Sequence, residues 1–377
     1  MTVIIVVAWS VIAVIVDVAM ARVAFGAIVP SLQSDLGLTL TAVGAANTAN
    51  LIGYAGATPF SAWFIRRVGV RRAAVIGHVV AAGGALWMAE SSSFIPIVLA
   101  RVVTGVGGAF GLVAVLRITL DAVPARRRVL VSTITWFGVG FGVLLAASAQ
   151  HALLGAGAWR AAMWFWAALT LLVALMTPRP QAHGEDAKAV HAKSHGYGLV
   201  LASYGAFGFA YLAFTTFLAM ADHDAAASRW TWLGVAALAG AAMMVRVRKA
   251  EPFLALALGI AALGAFCTVA AQTGVGPFLV GLGLAATPGL ATAIVRARVP
   301  DSLASEAIAN TTLAVAIGQL LGPVVAGALA DRFGIIVVPL LAGTIYVVGF
   351  VLVLIDIKRG SSAGTVRIRE LNTGLGT

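Results

Sequence analysis

The chain has 377 residues, of which 61% are hydrophobic and 10% charged, with a formal net charge of +11. Ordinary soluble domains are about a quarter charged, so this balance excludes a soluble globular domain as well as a disordered chain or a disulfide-stapled secreted module. Basic residues with so little polar surface around them point to a membrane and not to nucleic acid. The single cysteine, Cys267, lies in an apolar run and reads as a packing residue.

In chain order, twelve apolar runs approach the roughly 20 residues that a membrane helix needs. They cover approximately 3–32, 41–65, 73–90, 94–121, 129–150, 160–177, 197–221, 229–245, 252–272, 276–295, 307–330 and 335–357. The first is not read as a cleavable signal peptide, because no basic residue precedes it and it carries Asp17 and Arg22. Basic residues follow the even-numbered runs: Arg66, Arg67, Arg71 and Arg72; Arg126 to Arg128; Arg179, Lys188 and Lys193; Arg246, Arg248 and Lys249; Arg296 and Arg298; and Lys358, Arg359, Arg367 and Arg369. Arg160, Arg229 and Arg332 fall on the other side. Since basic loops stay cytoplasmic, both termini are expected on the cytoplasmic face of the cell's inner membrane.

Residues 178–196 are the long polar segment between runs and read as a cytoplasmic linker. The domains expected are therefore 1–177, an N-terminal six-helix half, 197–357, a C-terminal six-helix half, and 358–377, a cytoplasmic tail. The halves share weak internal matches: Gly105-Val106-Gly107 with Gly281-Leu282-Gly283, Val123-Pro124 with Val299-Pro300, Gly138 and Gly142 with Gly318 and Gly322, and Ala24-Phe25 with Ala210-Tyr211. The expected fold is an all-α membrane protein of twelve transmembrane helices in two pseudo-symmetric halves. Such a layout belongs to transporters with a substrate site near the midplane.

Several segments carry a resemblance to a known family. They are Arg22-Val23-Ala24-Phe25 through Pro30, Ala49-Asn50-Leu51-Ile52-Gly53-Tyr54, Tyr204 to Tyr211 running on to Thr216-Phe217-Leu218, and Gly318-Gln319-Leu320-Leu321-Gly322-Pro323. With these the chain resembles the major facilitator superfamily over nearly its whole length, and its YbfB/YjiJ-like branch in particular. The resemblance implies a secondary transporter whose first, fourth, seventh and tenth spans line the cavity. The loop after the second span matches the superfamily's gating pattern at Arg67, Gly69 and Arg71, but Arg66 stands where that pattern has an aspartate. The similar Gly327 to Gly334 stretch falls on the external side and is not read as the same gate. Arg101-Val102-Val103-Thr104-Gly105 matches the superfamily's fourth-span motif, whose arginine the resemblance associates with proton coupling. The residue after Gly142 is Val143, so the Gly-Pro pair of antiporters is missing.

Ionised groups inside a membrane cost at least about 2.5–3.5 kcal/mol on insertion scales, so they persist mainly where they serve a cavity or a partner. Asp17 is read as the protonation switch and Arg101 as its partner across neighbouring helices. Arg22 is read as the contact for an anionic substrate group, since five residues put it about 140° from Asp17 on an α-helix. Asn47, Asn50 and Tyr54 share one helical face, as do Tyr204, Phe207, Tyr211 and Thr215, while Thr312, Gln319 and Pro323 lie on the eleventh run. From these stripes Asn50, Tyr54, Tyr204, Phe207, Tyr211, Thr215 and Gln319 are candidate substrate contacts. Gly105, Gly138, Gly142, Gly318, Gly322 and Pro323 are candidates for close helix approach and gating. His78 reads as helix packing, and Arg117 with Asp121 as an interfacial i,i+4 pair.

No metal site, cofactor or enzyme activity is expected: there is no phosphate-binding loop, and no catalytic constellation. The function expected is proton-coupled transport of a small organic anion or amphipathic metabolite by a monomer in the lipid bilayer, using alternating access. Proton-driven multidrug efflux is the alternative within transport, and a membrane sensor or scaffold is the alternative outside it.

Overall fold

A computed structural model describes residues 3–149, 157–179, 196–220, 225–244, 247, 249–270, 274–299 and 304–360. Most of the expected linker 178–196 and of the tail 358–377 lies outside the described residues. Among those described, the chain is helical, with thirteen α-helices: α1 (Val3–Val14), α2 (Phe25–Leu36), α3 (Leu40–Val68), α4 (Val70–Ala89), α5 (Phe94–Asp121), α6 (Ala125–Ala149), α7 (Ala158–Leu175), α8 (Gly198–Phe217), α9 (Ala226–Met244), α10 (Ala250–Ala270), α11 (Val275–Ala297), α12 (Ala304–Phe333) and α13 (Val337–Gly360). Each of the twelve apolar runs falls on one of these helices or, for the first run, on α1 and α2 together. Ten of the segments are long and apolar enough to cross a membrane. The other two runs, on α3 and α9, are diluted by Asn47, Thr48 and Asn50 and by Ser228 and Arg229.

Between α1 and α2 runs a π-helix, Ile15–Val23. Its last turn is closed by Ala24 N donating to the carbonyl of Ala19 at 2.7 Å, five residues back. This wider winding departs from the α-helical geometry behind the expected 140° separation of Asp17 and Arg22, and the two side chains go to different partners, His78 and Tyr54. The wider turn is supported from α7, where the Trp166 indole donates to the Val16 carbonyl at 3.1 Å.

The helices pack through small residues, as membrane helices do when no hydrophobic force drives them together. α3, α4, α5 and α7 pack among themselves, as do α8 with α12 and α13, α9 with α11, and α10 with α11 and α13. The α3–α12 and α6–α9 contacts tie these two groups together. A methyl group on Gly44 would overlap the Pro323 carbonyl, and one on Gly26 would overlap the Thr215 carbonyl. Asp331, at the end of α12, reaches across to the start of α3. Its carboxylate accepts from Leu40 N at 2.9 Å, from Thr41 N at 2.9 Å and from the Thr41 hydroxyl at 2.5 Å. A carboxylate on the free amides of a helix start is favourable because both orphan donors and helix dipole are met. At the opposite end, Arg298 forks onto Asp356 at 2.9 and 2.7 Å and reaches Glu251 at 3.5 Å.

Candidate functional site

The buried charges collect where the π-helix meets α3, α5 and α8. Arg101 is fully buried on α5. Its Nη2 donates to Asn47 Oδ1 at 2.7 Å and its Nε to the Ala46 carbonyl at 3.2 Å, while its guanidinium lies 4.3 Å from the centre of the Phe25 ring. Its Nη1 has no hydrogen-bond partner. Arg22 is 7% exposed and lies over the Tyr54 ring at 3.8 Å, with its Nε unpartnered. Asn47 lies between the two residues, accepting from Arg101 and reaching the Arg22 carbonyl from Nδ2 at 3.5 Å. Among the described residues, neither has a carboxylate within ion-pair distance.

The expected Asp17–Arg101 pair therefore does not form. Asp17 turns instead towards α4, where its Oδ2 lies 3.1 Å from Nε2 of His78, and both side chains are buried. Gly108 and Gly111 of α5 border the pair: a Cβ on Gly111 would sit 3.3 Å from His78 Nε2 and 3.5 Å from Asp17 Oδ2. On the other flank, Gly77 and Gly107 let α4 and α5 approach to backbone contact. His78, expected to serve packing alone, is thus the partner of Asp17.

The polar residues of α3 join these charges to α8. Asn47 receives Arg101 on its carbonyl side and donates from Nδ2 to the Thr216 hydroxyl at 2.7 Å. Asn50 faces α5, where Nδ2 donates to Thr104 Oγ1 at 2.9 Å and Oδ1 is left without a partner. On α8, Tyr204, Phe207 and Tyr211 form a continuous aromatic stack, with ring centres 5.8 and 4.9 Å apart. Gln319 on α12 donates to the Tyr211 hydroxyl at 2.6 Å. Thr215 spends its hydroxyl on the Tyr211 carbonyl of its own helix at 2.9 Å.

The glycines singled out from the sequence lie at helix crossings. A Cβ on Gly105 would strike the Asn50 carbonyl, one on Gly318 the Gly205 carbonyl, and one on Gly322 the Phe209 carbonyl. Gly138 and Gly142 of α6 face Val11 and Ala19 in the same way, and Pro323 abuts Gly44. The loop residues lie apart from the site. Arg66 and Arg67 are exposed, Gly69 turns the chain at φ 85°, and Arg71 donates to the Thr177 carbonyl at 3.1 Å. Arg117 and Asp121 form an exposed i,i+4 pair at 3.6 Å.

The sequence pattern of the family described as the uncharacterised MFS-type transporter YbfB matches residues 14–354. The chain belongs to this major facilitator family. No curated protein matches the chain. Among solved structures, this family member is similar to a bacterial homologue of the human lysosomal transporter Spinster in an inward-facing, occupied conformation, with TM-score 0.71, 14% identity, and coverage of 94% of this chain and 96% of that one. The D-xylose-proton symporter gives TM-score 0.73 at 13% identity, covering 94% and 97%. At these identities the likeness is one of fold. The family match makes the chain a multi-pass membrane transporter, with small residues at crossings and buried charges inside the helical bundle.

Proposed function

We propose that the protein is a proton-coupled transporter of a small organic anion, moved by alternating access between the 1–177 and 197–357 halves. The observation that carries this reading is the pair of buried guanidinium groups, Arg22 and Arg101, each with an unpartnered N–H and, among the described residues, no carboxylate within ion-pair distance. A buried charge without a counter-charge is strongly unfavourable, and two of like sign are worse. A carboxylate or phosphate between them removes both penalties and accepts the free donors in the planar geometry that guanidinium offers. The Tyr204–Phe207–Tyr211 stack supplies an apolar wall for the rest of the molecule, which suits an anion with a carbon skeleton. Asp17, the buried carboxylate on the same π-helix as Arg22, carries the coupled proton. Both termini face the cytoplasm by the distribution of basic residues. The contacts of Asp331 with α3 then close the external side.

Uptake into proteoliposomes under an imposed pH gradient tests the reading, with carboxylates, organic phosphates, organic cations and neutral drugs offered in parallel. Accumulation of a carboxylate or phosphate that collapses with the gradient is expected. Accumulation of cations or neutral drugs alone would replace it by multidrug transport.

A further inference from the structure

We infer that Asp17 and His78 together form one proton-binding dyad, with His78 and not Arg101 as the group that sets its proton affinity. The inference rests on the reading that Asp17 carries the coupled proton, and adds a partner that the sequence does not suggest. The contact is a direct 3.1 Å approach of Nε2 to Oδ2, and its burial excludes water from competing. Gly111 of α5 flanks the pair, where a Cβ would rest 3.3 Å from His78 Nε2 and 3.5 Å from Asp17 Oδ2.

The other titratable or charged groups on the described parts of the packed elements lie outside hydrogen-bond reach of the pair. They are Arg22 on the π-helix, Asp35 on α2, Tyr54, Arg66 and Arg67 on α3, Arg101, Arg117 and Asp121 on α5, Arg127 and Arg128 on α6, Arg160 on α7, Tyr197, Tyr204 and Tyr211 on or at the start of α8, and Arg71, Arg72 and Glu90 beside His78 at the ends of α4. Arg101 is committed to Asn47 and Ala46. Two protonation levels follow. With one proton shared, the dyad is neutral overall, as carboxylate with imidazolium or carboxylic acid with imidazole, and suits a closed, dry site. Loss of that proton leaves a net negative charge, which is tolerated only when water reaches the site. Occlusion and opening thereby bind and release the proton. The proton passes between Nε2 and Oδ2 without either group leaving its place.

Infrared difference titration of the full-length protein in liposomes reads this directly, and it needs no transported substrate. The carboxylic acid stretch that disappears in Asp17→Asn reports Asp17, and the imidazole ring modes that disappear in His78→Gln report His78. His78→Gln keeps an N–H donor but cannot titrate. It is expected to move the Asp17 midpoint up by about one pH unit or more, because the imidazolium no longer favours the carboxylate. Asp17→Asn is expected to move the His78 midpoint down by a similar amount. The Asp17→Asn reading of the His78 ring modes is independent of the His78 substitution and decides the matter should His78→Gln fail to fold. An Asp17 midpoint unchanged in His78→Gln, or a His78 midpoint unchanged in Asp17→Asn, would overturn the dyad. So would a midpoint that moves with Arg101→Gln while ignoring His78→Gln. Uptake that fails in every form while the midpoints shift as expected would count against the transport reading and leave the dyad standing.

Discussion

Arg22→Lys and Arg101→Lys separate charge from shape, because each keeps a cation and loses the planar fork. If the anion is held by both guanidinium groups, each substitution lowers its affinity roughly tenfold or more, as expected for a charge-assisted hydrogen bond worth about 1.5–3 kcal/mol. Concentration-dependent proteoliposome uptake of the carboxylate or phosphate found to be transported measures this. A second residue-scale prediction concerns the end of α2. Asp35 accepts from the Arg160 guanidinium and from the Trp159 indole, and the first of these most strongly holds its carboxyl below the usual carboxylate range. A folded-state value below the unfolded one gives stability that is present above the unfolded value of about 3.9 and is lost as pH falls through the folded value. Asp35→Asn should therefore melt below the wild type at neutral pH, with the gap closing in acid, as followed by thermal unfolding. Asp17, Arg22 and Arg101 were legible as important from the sequence, because charges in apolar runs are too costly to be incidental. Their partners were not. Asp17 meets His78 on another helix, and the spacing within one segment does not record such a contact.

The elements themselves follow from apolar run length, and each expected run is met by helix. What the sequence hid at this scale is the π-helix. Seven of its nine residues are apolar, so it continues the apolar run begun by α1, and periodicity arguments assume 3.6 residues per turn. The wider winding changes the angle between Asp17 and Arg22, which go to His78 and Tyr54. The face of α3 was partly legible. Asn47, Asn50 and Tyr54 do share a face, but Asn47 serves Arg101 and Thr216, Asn50 serves Thr104, and Tyr54 lies under Arg22. The crossing of α8 with α12 yields a sharp prediction. Gly318→Ala places a methyl group on the Gly205 carbonyl, so the backbones must part. Overpacking of this kind costs about 1–3 kcal/mol. Thermal unfolding should show the loss, and transport should fall with it.

At the scale of the whole molecule, the side-chain hydrogen bonds that join the 1–177 and 197–357 segments among the described residues fall on the first half of α3. Asp331 holds the start of α3, Thr48 donates to the Leu320 carbonyl at 2.9 Å, and Asn47 meets Thr216. The Gly327–Gly334 stretch resembles the superfamily's gating loop in sequence but works at the opposite end from Arg67, Gly69 and Arg71. The loop bearing Arg66 lacks the aspartate, and Asp331 supplies a carboxylate to a helix start where the basic-residue rule places the outside. Asp331→Ala should loosen that closure. A cysteine introduced at Thr48 should then react faster with a membrane-impermeant thiol reagent added outside, in a Cys267→Ser background, than it does with Asp331 intact. The span order was visible in the sequence, whereas the Asp331 contact was not, because it joins residues nearly three hundred positions apart. The central claim is that Arg22 and Arg101 jointly hold an anion. Its most direct test is the thermal stability of the purified full-length protein against a panel of carboxylates and organic phosphates, with organic cations and neutral drugs as counterparts. At least one anion class should raise the midpoint of the wild type, and should leave Arg22→Gln and Arg101→Gln unmoved. Stabilisation by cations or neutral drugs alone, or an equal response from both variants, would contradict it.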